Sequence, residues 1–107
     1  MISKITFATA LLATSCFGAT WTGKISDSAC GVSHAKMRAA HRDLASDKDC
    51  TLACIKMGSK YVFVSKGKIF QIDNQNLDDL QKYAGQNVTL TGKLTGDAIE
   101  VTSIAAK

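Results

Sequence analysis

Hydrophobic and polar positions along the chain follow two different periods. From Trp21 to Asp27 they alternate, with Trp21, Gly23 and Ile25 on one face, which predicts a first strand. Tyr61-Val62-Phe63-Val64-Ser65 is apolar on both faces and predicts a second. Lys66-Gly67 reads as a turn, and Lys68-Ile69-Phe70-Gln71-Ile72 as the returning partner of a hairpin. Asn87 to Leu94 alternates cleanly, with Val88, Leu90 and Leu94 inward. After the turn Thr95-Gly96-Asp97, Ala98 to Ile104 forms the last strand. There Ile104 is out of phase with Ile99 and Val101, the mark of a bulge or of the end of pairing.

The remaining segments carry helical spacing. Between Ser28 and Asp49 β-branched residues are scarce, and Met37, His41 and Leu44 would share a face of a helix capped by Ser33 and broken at Asp47-Lys48-Asp49. A second helix is expected over Cys50–Met57, capped by Asp49 and closed by Gly58. A third is expected over Leu77–Ala84. Asn76 would cap it, Asp78 and Asp79 lie at its positive end, and Gly85 stops it. Five strands with a helix between the third and fourth predict a mainly β (α+β) fold. The expected form is a small OB-like Greek-key barrel with a helical insert, about residues 28–58, between strands 1 and 2. An open α+β sheet of the same elements is the competing architecture.

The N-terminus stands apart. Lys4 is followed by an uncharged apolar stretch from Ile5 to Phe17 and by Gly18-Ala19, the pattern of a short secretory signal peptide over residues 1–19. The expected mature part, 20–107, is then a single exported domain, periplasmic or extracellular. A lipid anchor through Cys16 is disfavoured, because Ala13 stands where a large aliphatic residue is needed. No apolar run reaches the ~18 residues of a membrane-spanning helix. The whole chain of 107 residues carries 13 Lys and Arg against 9 Asp and Glu. Without Lys4 that leaves a net charge of +3, too weak and too dispersed to predict a nucleic-acid partner.

The chemistry-bearing residues are concentrated in the insert. Cys30, His34, His41, Cys50 and Cys54 fall within 25 consecutive residues, with spacings Cys30-x3-His34 and Cys50-x3-Cys54. Residues four apart on a helix share a face, so each pair can present two ligands in one direction. Cys30, His34, Cys50 and Cys54 form a Cys3His set that suits zinc, and their thiolates equally suit copper. A disulfide among Cys30, Cys50 and Cys54 is the alternative in a small exported domain, with Cys30 as one partner because Cys50–Cys54 is strained on a regular helix. Such a bridge would close a loop of about 20 residues and stabilise the fold by about 3 kcal/mol in the chain-entropy model. Thiol redox chemistry is a third reading, since Cys50 is expected at a helix N-terminus where the dipole lowers a thiol pKa. Cys-x-x-Cys and proline are both absent.

No nucleophile elbow, phosphate loop or dinucleotide fingerprint occurs, and Asp78 and Asp79 are explained by their helix, so the chain reads as non-catalytic. Tyr61, Phe63 and Phe70 fall on the strands whose face binds ligands in OB-folds. They are the candidate ligand face for an envelope ligand or protein, with core packing as the bland alternative.

The pair Cys50 and Cys54, with His34, is similar to the copper site of the Sco-type copper chaperones, and that likeness covers only those residues. The segments WTGKISDSACGVSH, CTLACIKMGSKYVFV, GKIFQIDNQ and AGQNVTLTGKLTGDAIEVTSI together resemble a family of small secreted bacterial proteins of unknown function. The resemblance covers nearly the whole mature chain. It implies an exported protein with a Cys-Gly-x-x-His element, a later Cys-x3-Cys and an OB-like second half. Cys30, His34, Cys50 and Cys54 match those positions, and His41 has no counterpart. The second half also resembles, in topology alone, small periplasmic OB-fold stress proteins.

Overall fold

A computed structural model describes residues 18–31, 33 and 46–107. Most of the expected signal peptide, with Cys16, lies outside these residues. So do His34, His41 and the helix expected from His34 onward. The described elements run β1 (Ala19–Asp27), α1 (Asp47–Lys56), β2 (Tyr61–Ser65), β3 (Lys68–Ile72), α2 (Asp78–Lys82), β4 (Asn87–Thr95) and β5 (Ala98–Ala106).

The five strands form one mixed sheet that closes in a ring in the order β1-β2-β3-β5-β4. All neighbours are antiparallel except β3 and β5, which pair in parallel over Gln71–Ile72 and Ala98–Ile99. β1 serves two partners: its first half pairs with β4 and its second with β2, and Lys24 pairs with both Asn87 and Val64. That handover requires Gly23. A Cβ there would lie 2.2 Å from the Val64 carbonyl oxygen and 2.7 Å from the Phe63 ring.

The short parallel contact between β3 and β5 is extended by amide side chains. Asn74 accepts from the Val101 backbone N–H at 2.9 Å and donates to the Val101 carbonyl at 2.8 Å, as a strand residue would. Gln75 does the same for Tyr61, accepting from its N–H and donating to its carbonyl, both at 2.8 Å. Two loop residues thereby satisfy backbone groups that the ladders leave open.

Inside the ring lie Ile25, Phe63, Phe70, Ile72, Val88, Leu90, Ile99, Val101 and Ile104, with Leu80 of α2 packed onto them. The phase change in the last strand is a register shift: Thr91 pairs with Ser103 and Gly92 with Val101, so Thr102 is the extra residue. Leu94, expected inward, is 42% exposed. Among the described residues, β1 pairs with β4 only as far as Gly92, so the last residues of β4, Leu94 among them, have no β1 partner there.

Both described helices depart from their expected bounds. α1 starts at Asp47, because Ser46 rather than Asp49 is its cap and accepts from the Asp49 N–H at 3.2 Å. Its end is as expected: Gly58 at φ +103 lets Gly58 N–H reach Ile55 O and Ser59 N–H reach Cys54 O, both at 3.0 Å. α2 is shorter than the expected Leu77–Ala84, and no side chain caps it; Leu77, not Asn76, holds the cap position.

Gly85 holds α1 against the sheet. Its N–H donates to Ile25 O at 2.8 Å, its φ is +73, and a Cβ would lie 2.3 Å from the Lys48 nitrogen. Gly85→Ala is therefore expected to destabilise the protein by more than about 1 kcal/mol, the minimum cost of a left-handed alanine, because backbone on α1 must also move. Urea unfolding followed by circular dichroism measures this; an unchanged midpoint would show that α1 does not pack there.

Candidate metal centre

The site is built from the turn that follows β1 and the first two turns of α1. Asp27 closes β1, and its Oδ1 accepts from the N–H groups of Ala29 at 3.1 Å and Cys30 at 2.9 Å. The Gly31 N–H donates to Asp27 O at 2.9 Å, and the Ser26 hydroxyl donates to Gly31 O at 2.6 Å. Gly31 takes φ +60 to complete this tight turn. The turn is tied to the link between α1 and β2 by Ser28 N–H to Lys60 O at 2.8 Å and by Lys60 N–H to Ser28 Oγ at 3.0 Å. At the near end, the Lys24 ammonium meets the Asp47 carboxylate at 2.6 Å. The start of α1 and the link that follows it are thus held against β1 and its turn, and Cys50 and Cys54 are fully buried.

The result brings Cys30, Cys50 and Cys54 together, with all three Sγ atoms within 4.8 Å of one another. No disulfide joins them in this structure; all three are free thiols. One thiol comes from a rigid turn and two from adjacent turns of a helix, which converges three soft donors on one point. This is a geometry for a thiolate-bound ion. His34, the fourth member of the sequence-derived set, lies outside the described residues.

Electrostatics oppose thiolate formation in the absence of an ion. Burial, followed by the Asp27 charge, pushes the Cys54 thiol up to about 12, and the same two causes push Cys30 up to about 11. Cys50 is also raised, chiefly by burial. The expectation of a dipole-activated Cys50 is thereby corrected. With the helix starting at Asp47, Cys50 sits a turn in, its N–H is used by Ser46 O at 3.0 Å, and desolvation prevails over any pull of the helix end.

Asp27 is the site residue that sequence reasoning missed. It is fully buried, its carboxylate accepts the Cys30 N–H and its charge helps to raise the Cys54 thiol, yet in the sequence it reads as the polar end of a strand. The only local signal was its spacing of three from Cys30.

The candidate ligand face lies elsewhere and is core. Tyr61, Phe63 and Phe70 are 8%, 0% and 7% exposed. The Phe70 ring stands 6.4 Å from those of both Phe63 and Trp21. Little ring area is left for stacking, because a closed sheet this small needs large side chains to fill its interior.

No protein-family model, curated protein or solved structure matches the chain. Among the described residues, no helix is long and apolar enough to cross a membrane. Fold and site define a small, mainly β chain with a three-thiol centre, two of its thiols buried, beside its closed sheet.

Proposed function

We propose that this is an exported, non-catalytic protein of the bacterial cell envelope that binds a soft metal ion, zinc or copper, through Cys30, Cys50 and Cys54. His34, four residues beyond Cys30, is proposed as the fourth ligand on its sequence spacing. The ring order β1-β2-β3-β5-β4, with a helix between β3 and β4, supports an OB-type Greek-key barrel as the scaffold. The leader-like N-terminus and the resemblance to small secreted bacterial proteins support export. The observation that carries the reading is the convergence of three thiol sulfurs, from two separate elements, within 4.8 Å.

The test is intact mass under native and denaturing conditions, with alkylation, on protein purified from the periplasm. The expected result is one metal ion per chain, three alkylatable thiols once it is removed, and loss of the ion in Cys54→Ser with the fold retained. A metal-free chain lighter by two hydrogens, with one alkylatable thiol, would instead establish a disulfide-stabilised interaction module and overturn the metal centre.

A further inference from the structure

Resting on the three-thiol reading of the centre, we infer that Cys30, Cys50 and Cys54 also take a trivalent metalloid hydroxide, arsenite or antimonite, as a covalent three-sulfur adduct.

The number of donors comes first. Among the described residues, three thiols from the turn after β1 and from α1 gather with their sulfurs within 4.8 Å of one another, and no carboxylate or imidazole joins the group. Zinc in a closed site takes four ligands, one more than these thiols supply. Trivalent arsenic is soft, keeps a lone pair and completes its shell with three bonds. The described thiols are therefore a full ligand set for it, with no further residue required.

Charge points the same way. Cys50 and Cys54 are 0% exposed, and a net charge in dry surroundings is costly. Three thiolates around Zn(II) leave a net charge of −1, and around Cu(I) −2. The arsenite adduct is neutral. As(OH)3 condenses with three thiols: three As–O and three S–H bonds break, three As–S bonds form, and three waters leave. Arsenic stays trivalent and no electrons are transferred. The surroundings of the two helical thiols thus oppose this ligand less than they oppose an ion. Cys30 supplies the way in. It lies on the turn and is partly exposed, so it offers the sulfur for the first bond, and the buried pair closes the other two.

The test uses protein purified from the periplasm, freed of metal and kept anaerobic. Arsenite is titrated into wild type, Cys30→Ser and Cys54→Ser in competition with a small dithiol, with circular dichroism as the check on folding. X-ray absorption at the arsenic edge counts the neighbours of the bound atom in wild type. The expected result is one arsenic per chain with three sulfur neighbours and no oxygen, and an affinity at least about tenfold weaker in each variant, since each loses one tethered donor. An oxygen neighbour retained on arsenic, or an unchanged affinity in Cys30→Ser, would overturn the inference. If Cys54→Ser does not fold, Cys30→Ser, altered at the partly exposed turn, and the wild-type neighbour count decide. Parallel titrations of wild type with Zn(II) and Cu(I) separate the two readings. A wild type that binds either ion but not arsenite overturns this inference and leaves the metal centre standing, whereas one that binds none of the three overturns both.

Discussion

Raising the pH from 6.5 to 8 is expected to tighten metal binding by up to a thousandfold per unit. Below the thiol pKa values, about 11 for Cys30 and about 12 for Cys54, with Cys50 also raised, each thiolate bound to the ion is a proton displaced. Displacing three protons gives an apparent association constant that rises with the third power of 1/[H+]. The sign is fixed by the direction of the shifts: the protonated thiol is the favoured metal-free form, so acid competes with the ion and alkali assists it. A competition titration against a chelator of known pH dependence measures the slope of log K against pH. A slope near three supports three thiolate ligands, and a slope near one would remove two of them. Below about pH 6.5 a still steeper slope is expected if His34 ligates, because its imidazole must then lose a proton as well.

The second large effect concerns the scaffold. Phe63→Ala is expected to cost about 3–5 kcal/mol, the range for truncating a buried phenylalanine. Phe63 is fully buried and lies at the handover of β1, where its ring fills the space that Gly23 leaves and approaches the Phe70 ring at 6.4 Å. A domain of this size has only about 5–15 kcal/mol in total, so a large fraction of its stability would be lost. Urea denaturation should show a much lower midpoint with an unchanged m-value. The three thiols are held by β1 and α1, both anchored on this ring, so metal affinity should fall with it. A midpoint within about 0.5 kcal/mol of wild type would show that the ring interior does not close on Phe63.

The strands were legible in the sequence because alternation is a local property, and a two-residue period survives in any context that buries one face. The β2–β3 hairpin was legible for the same reason, with Lys66 at φ 52 and Gly67 at φ 76 supplying the turn. The start of α1 was legible in part: Ser46 three residues before Asp49 is a capping pattern, but the charged run Asp47-Lys48-Asp49 imitates a break. The pairing of Cys50 with Cys54 on one helical face also follows from spacing alone. What local pattern cannot encode is which distant groups meet. That Cys30 joins the helical pair depends on the Asp27 turn and its ties to Lys60. That Asn74 and Gln75 act as strand residues depends on which backbone groups of β5 and β2 face the loop after β3. The aromatic residues of β2 and β3 became core, and Leu94 surface, only when the sheet closed and fixed which side had an interior. Periodicity thus determined the elements and the candidate ligands. Ring closure and the turn after β1 decided the centre, because bringing sulfurs from two elements within 4.8 Å, beside a buried carboxylate, is a property of the packed chain rather than of any stretch of it.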